Sequence, residues 1–350
     1  MKILNTAIIG CGAIFVNHAE AVAGLDTSRL YAVCDEDKMK AEEAAQRFDC
    51  RCFTDYREML KDENIDVVHI CTPHYLHAPM AVEAMRRGKH VLTEKPVSVC
   101  VEQALEMNRA SKETGKVLGV CFQNRYNSTS LRIKEILLSG NAGRILGAKA
   151  IITWNRQAAY YTRSSWRGSR EKEGGGVLIN QAIHTLDLIQ WFMGEVDSLK
   201  AHVDTRLLNG IIEVEDTADA TITFKNGSSC IFYATNNYMA DSPIELEIIC
   251  EKAVISLRDK LTVTYSDGAV EQVSEIDTAS GEKAYWGCSH KHLIRDFHEK
   301  LHEGREFELT GEQGIKTIEI IEAIYRSSET GMRVDFKNRA YFGLRDAHGT

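Results

Sequence analysis

Asn180, His184 and Asp187 are spaced by four and three residues, so a helix through them carries all three on one face. The residues around them, Val177, Leu178, Ile179, Ile183, Leu186, Leu188, Ile189 and Phe192, are apolar. A solvent-facing stripe would carry Lys and Glu, whereas this one is Asn, His and Asp behind a triple glycine at 174–176. The segment therefore reads as a buried helix with a polar seam facing a cavity. A lone histidine in such a place would read as a core residue with a satisfied partner. Histidine titrates near neutral pH and suits proton transfer. Asn180 can both donate to and accept from a hydroxyl. Asp187 has two readings, as a group that orients the imidazole or as a packing residue.

A second group lies near the start. Gly10-Cys11-Gly12 follows a short apolar run and precedes a helical pattern, the arrangement in which glycines let backbone approach a pyrophosphate at a helix N-terminus. Phe15 stands where a third glycine would be. Asp35 ends the next apolar run, 23 residues past Gly12, close to the spacing of a carboxylate that binds adenosine ribose hydroxyls. A carboxylate there repels a 2′-phosphate, which favours NAD over NADP. The competing reading is a structural turn with an acidic helix cap. Further on, Thr93-Glu94-Lys95-Pro96 ends another apolar run, where open α/β sheets bind ligands. Pro96 disfavours the helical region for Lys95 and holds it extended, although by itself Glu-Lys-Pro reads rather as a common surface turn.

Tyr160, Tyr161 and Trp166 offer flat bodies with polar handles suited to sugar rings. Arg156, Arg163, Arg167 and Arg170 read either as forks for a carboxylate or phosphate or as a solvated basic loop. His298-Glu-Lys-Leu-His302 matches the zincin pattern, but the apolar residues Leu293, Ile294, Phe297 and Leu301 place both histidines beside the buried face. Glu319 and Glu322 are candidate third ligands, yet neither spacing fixes one. His74 and His77 lack a carboxylate companion. No metal site is expected.

These residues need a scaffold. With 350 residues, 44% hydrophobic and 26% charged, the chain reads as an ordinary globular protein of two domains. A formal charge of −8 argues against a nucleic-acid footprint and against a polybasic membrane surface. No run of about eighteen apolar residues predicts a membrane span. Ten scattered cysteines without a Cys-x-x-Cys pair fit buried thiols in a reducing, cytoplasmic compartment rather than a disulfide scaffold. The first eleven residues could pass for a signal peptide with a lipidated Cys11, but Asn5 and Thr6 interrupt the apolar stretch.

Residues 1–123 alternate short Val/Ile/Cys runs with helices of ten to fifteen residues, which predicts a doubly wound parallel sheet. Residues 124–350 change to period-two strands, with Asn226-Gly227 as a hairpin signal, and close with helices near 290–302 and 312–328. That predicts a C-terminal α+β domain on a large, mostly antiparallel sheet. Ile222, Phe224 and Phe232 on its strands are expected to need cover, which predicts a homodimer or homotetramer built on the sheet.

Gly10-Cys-Gly-Ala-Ile, Thr72-Pro-x-x-x-His77, Glu94-Lys-Pro, Trp166-Arg167 and Gly174-Gly-Gly-x-x-x-Asn-x-x-x-His184 occur in one order along the chain. Together they resemble the glucose–fructose oxidoreductase, inositol dehydrogenase and MocA family over essentially the whole length. The resemblance implies an N-terminal Rossmann domain and an NAD-dependent dehydrogenase or reductase acting on a ring hydroxyl of a sugar, glycoside or cyclitol. It implies Lys95 and His184 as the catalytic pair. It places Gly10, Gly12, Ala13, Ile14, Asp35, Thr72, Pro73, His77, Glu94, Lys95, Gln123, Trp166 and Arg167 around the cofactor. Asn180, Lys95, Arg125, Tyr161 and Trp166 would face the substrate. Asn180 stands where many members carry Asp, a departure that bears on substrate identity. Two other readings stay open: a glycoside-cleaving enzyme of similar fold that recycles bound NAD, and a redox-sensing binding protein without turnover.

Overall fold

A computed structural model of the chain describes residues 3–276 and 289–337. Cys288 lies outside the described residues. The chain forms two compact units, one of residues 1–123 with 289–315, the other of 124–288 with 316–350. Residues 289–315, which the sequence assigns to the second domain, thus belong with the first. The helix His290–Glu303 explains this: its apolar face packs on the helix Phe15–Ala23.

The first unit holds β1 (Leu4–Ile9), β2 (Ser28–Cys34), β3 (Arg51–Phe53), β4 (Val67–Ile70), β5 (His90–Thr93) and β6 (Leu118–Val120). They form one parallel sheet in the order β3-β2-β1-β4-β5-β6. All of Val67–Ile70 is buried, as expected of strands covered on both faces. β3 and the short helix Tyr56–Leu60 escape sequence reading, because Arg51-Cys52-Phe53 is an exposed edge without an apolar run.

The second unit holds β7 (Ile145–Thr153), β8 (Val196–Asp204), β9 (Thr217–Phe224), β10 (Ser229–Thr235), β11 (Glu245–Cys250), β12 (Ala253–Leu257), β13 (Leu261–Tyr265), β14 (Val270–Val273) and β15 (Val334–Asp335). Among the described residues they make a nine-stranded sheet, β14-β13-β12-β11-β7-β10-β9-β8-β15. Only the β7–β10 pairing in it is parallel. Asn226-Gly227 turns the β9–β10 hairpin, with Thr223 paired to Ser229. Ile222, Phe224 and Phe232 are fully buried, so they form the unit's own core and need no subunit to cover them. The outward positions of the same alternation are Ile231, Tyr233, Ile249 and Val254.

Among the described residues no helix is long and apolar enough to cross a membrane.

Candidate active site

In the first unit β1 runs into the glycine turn. Gly10 has φ +95°, and a Cβ there would lie 2.6 Å from the Cys71 carbonyl oxygen, so glycine alone fits between β1 and the end of β4. At Gly12 a Cβ would meet nothing within 4 Å, leaving that backbone open to a ligand. No side chain caps the N-terminus of the helix Phe15–Ala23, whose first N–H groups favour an anion. Phe15 is no obstacle: it is buried edge-on against Phe48, 5.7 Å between ring centroids. Asp35 leans over the turn, its Oδ2 accepting from the Cys11 N–H at 2.8 Å and its Oδ1 from Asp37 N–H at 2.9 Å. Ala13 is exposed and Ile14 partly exposed beside it. An open glycine turn, an uncapped helix and a carboxylate at the end of β2 fit a dinucleotide.

The turns after β4 and β5 form one braced layer. The His77 ring lies between two backbone oxygens, Thr72 O at 2.8 Å from Nε2 and Pro96 O at 2.7 Å from Nδ1. Fully buried, His77 holds Thr72-Pro73 against the Lys95-Pro96 turn. Glu94 belongs to the same layer. Its carboxylate points inward, where His18 Nε2 is 3.0 Å from Oε1 and the Lys95 N–H donates to Oε2 at 3.1 Å. Lys95 itself is half-buried where β5 ends, and its bond to Pro96 is cis. Gln123 is buried in the turn Gln123–Tyr126 that follows β6.

In the second unit the polar seam is not one helix. Val177–Asn180 makes a single turn and Ile183–Met193 a separate helix. The break arises because the Val177 carbonyl accepts from both Gln181 and Ala182 N–H, at 3.1 and 2.8 Å, which widens the turn. The expected common face therefore holds for His184 and Asp187 but not for Asn180. Gly176 permits the close packing that starts this segment, since a Cβ there would lie 1.8 Å from the Glu215 carbonyl oxygen. His184 occupies the first turn of the second helix at 8% exposure.

Asp187 does not orient His184. Arg125 holds it, through Nε to Oδ2 at 2.8 Å and Nη2 to Oδ1 at 2.6 Å, and both side chains are buried. Arg125 thereby braces the helix Ile183–Met193. Burial pushes the Asp187 carboxyl up, and the guanidinium opposes it. Tyr161 is likewise enclosed, against Leu208, Ile212 and Val214, with its hydroxyl accepting from Asn236 Nδ2 at 2.9 Å. Trp166 and Arg167 remain half-exposed, the guanidinium lying 4.8 Å from the Trp166 ring centre and 4.6 Å from Tyr160. Arg156 is spent on Asp241 at 2.8 Å, while Arg163 is exposed.

Two carboxylates escaped sequence reading. Glu173 lies buried with Oε2 accepting from Gly168 N–H and Oε1 from Asn180 Nδ2, both at 2.5 Å. Burial above all raises its pKa to about 7. Glu215 gathers the N–H groups of Gly176 and Leu178 and the Tyr325 hydroxyl. The signal for Glu173 was poor, because Arg170-Glu-Lys-Glu reads as a solvated run. The zincin pattern fails on geometry: His298 faces inward at 3.0 Å from His69, while His302 is half-exposed on the helix.

Residues 4–122 match the model "Oxidoreductase family, NAD-binding Rossmann fold", and residues 134–336 match "Oxidoreductase family, C-terminal alpha/beta domain". D-glucoside 3-dehydrogenase of Escherichia coli is 28% identical, over 95% of this chain and 97% of that one. The scyllo-inositol 2-dehydrogenase (NAD(+)) of Bacillus subtilis is 26% identical, over 97% of this chain and 99% of that one. Among solved structures, levoglucosan dehydrogenase in complex with NADH and levoglucosan superposes with a TM-score of 0.87 at 26% identity, covering 95% of this chain and 99% of that one. The WlbA dehydrogenase from Bordetella pertussis, in complex with NADH and UDP-GlcNAcA, superposes at 0.83 and 28% identity, covering 96% and 99%. The glycine turn, Asp35 and the two family models agree that this chain is an NAD-dependent oxidoreductase acting on CH–OH groups and belongs to the Gfo/Idh/MocA family.

Proposed function

We propose that the enzyme oxidises, or in reverse reduces, a ring carbon bearing a secondary hydroxyl on a sugar, glycoside or cyclitol. His184 is the general base and Lys95 the group that polarises the reacting oxygen. The observation that carries this reading is His184 itself, an imidazole near-buried in the first turn of an otherwise apolar helix, with the neighbouring Asp187 committed to Arg125. Histidine is the side chain that exchanges a proton near neutral pH, which suits it to a bound hydroxyl.

The imidazole lone pair takes the hydroxyl proton while the Lys95 ammonium donates to the oxygen and stabilises developing alkoxide charge. The bound nicotinamide supplies the acceptor for the hydride leaving the carbinol carbon. Asn180, with its amide N–H drawn to Glu173, is the side chain we assign to a substrate hydroxyl. Trp166 and Arg167, half-exposed and stacked, suit a ring face. The relatives' names, on glucosides, levoglucosan and inositols, support a polyhydroxylated ring as substrate.

The test is a panel of sugars, sugar acids, glycosides and inositols, followed by NADH absorbance. Turnover of at least one cyclic polyol with net NADH formation supports the reading. Cleavage of a glycoside without net NADH points instead to a recycling enzyme, and NAD binding without any turnover sinks the catalytic assignment.

A further inference from the structure

We propose that the first unit contains a four-ligand zinc-type site built from His18, Glu94, Cys121 and His290. His18 Nε2, a Glu94 oxygen and Cys121 Sγ all lie within 4.8 Å of one another, and all three residues are buried. His18 Nε2 is 3.0 Å from Glu94 Oε1 and 4.0 Å from Cys121 Sγ. His290 brings a fourth donor from the far end of the chain. Its side chain is 9% exposed, and its Nε2 lies 3.4 Å from the same Glu94 oxygen. Tetrahedral zinc with bonds of about 2.0–2.3 Å requires donors about 3.3–3.7 Å apart. The separations of 3.0, 3.4 and 4.0 Å bracket that range, while His290 lies outside the 4.8 Å cluster of the other three donors and has to turn toward it to complete the shell.

Charge favours the same answer. Glu94 is buried, and among the described residues no Lys or Arg forms an ion pair with it. A divalent ion with one carboxylate, one thiolate and two neutral imidazoles sums to zero, which removes the cost of burying an isolated charge. The donor set of two nitrogens, an oxygen and a sulfur suits zinc, and four protein ligands leave no open position, so the site is structural. An outer shell exists as well. His18 Nδ1 is 3.0 Å from His69 Nδ1, and His69 Nε2 is 3.0 Å from His298 Nε2, the kind of support that orients a ligating imidazole. The ion would tie the helices Phe15–Ala23 and His290–Glu303 to the ends of β5 and β6. It would thereby explain why residues 289–315 return to the first unit. The His-Glu-x-x-His motif plays no part as a ligand pair.

The experiment uses the full chain, stripped with a chelator, then loaded with zinc or cobalt(II) and desalted. Metal content is read by mass spectrometry and cobalt geometry by absorbance, with no substrate present. The expected result is one ion per chain, with tetrahedral d–d bands and a thiolate-to-cobalt charge-transfer band. That band should vanish in Cys121→Ser, weakened d–d intensity should follow His290→Gln, and Cys52→Ser, at an exposed thiol, should change neither. Zinc should also raise the melting temperature of the stripped wild type and raise it less in His290→Gln. Substoichiometric binding by the wild type overturns the proposal, as does a band that survives Cys121→Ser or disappears in Cys52→Ser. If Cys121→Ser does not fold, the wild-type stoichiometry and His290→Gln still decide.

Discussion

Arg125 and Asp187 face each other in a buried, two-pronged ion pair, with N–O distances of 2.8 and 2.6 Å. Arg125 also stacks on Trp191, 5.3 Å from its ring centre, so the pair anchors the helix that carries His184. Removing one partner of such a pair strands the other charge, at about 3–5 kcal/mol. We predict that Asp187→Ala loses stability in that range by urea unfolding. Replacing both residues by apolar ones of similar volume should recover most of it. A loss below about 1 kcal/mol, the scale of an exposed pair, would mean the two are solvated.

The fold was legible where burial leaves an apolar run. β1, β2, β4 and β5 announced themselves in this way, and the Asn226-Gly227 hairpin by its turn chemistry. What stayed hidden depended on partners distant in sequence. Nothing around Asp187 names Arg125, 62 residues earlier, as its counter-ion. Nothing in Arg170-Glu-Lys-Glu173 marks one carboxylate as buried beside Asn180. The same limit misplaced the outer face of the sheet: alternation says that two faces differ, not which one is inside. Ile222 and Phe232 proved to be inside.

Glu173 supplies a pH prediction. Burial raises its pKa from 4.5 to about 7 in the folded chain. A carboxyl whose pKa is higher when folded contributes stability fully present below the unfolded value and lost as pH rises through the folded one. Stability should therefore fall between about pH 4.5 and 7 by about 3 kcal/mol from this group. In Glu173→Gln that component should be absent. Urea midpoints for both proteins at pH 5 and 7.5 check it, and parallel pH profiles would refute it.

Asp35 is expected to set the cofactor preference. Its carboxylate sits over the glycine turn, 2.8 Å from the Cys11 nitrogen, where a 2′-phosphate would meet like charge. We predict that NAD binds more than tenfold tighter than NADP, about 1.4 kcal/mol or more. Asp35→Ser should narrow the gap, chiefly by weakening NAD. Calorimetric titration with both dinucleotides reads this directly, and equal affinities for the wild type would remove Asp35 from the role.

The outward face of the large sheet carries Ile231, Tyr233, Ile249 and Val254, with Ile231 56% exposed and Ile249 42% exposed. In register, Tyr233 neighbours Ile151 across β7 and Ile249 neighbours Val254, so apolar positions run across several strands. We predict a homodimer or homotetramer on this face, with the closed symmetry usual for soluble assemblies. Ile231→Glu should shift it toward a monomer. Light scattering that finds the wild type at 39.3 kDa at micromolar concentration excludes the assembly.

His184 carries the final prediction. If its lone pair takes the hydroxyl proton, His184→Ala should lower kcat by about 10²–10⁴-fold, the range for loss of a general base. NAD affinity should change little, because the glycine turn and Asp35 belong to the other unit of the chain. Lys95→Ala should also lose rate, with some loss of NAD affinity because Lys95 leaves β5 beside the turn that His77 braces. The two losses should not add in the double variant if, as proposed, both groups serve one oxygen. Asn180→Asp should change the ranking of substrates rather than the rate on all of them, as it adds charge beside Glu173 and leaves the base in place. For oxidation, kcat/KM should rise with pH through an apparent pKa that belongs to the interacting groups together. The comparison that decides is single-turnover hydride transfer in His184→Ala against wild type on a confirmed substrate. Retention of more than about a third of the wild-type rate lies far outside what loss of a general base allows. His184 would then be a packing residue, and the base would have to be sought elsewhere.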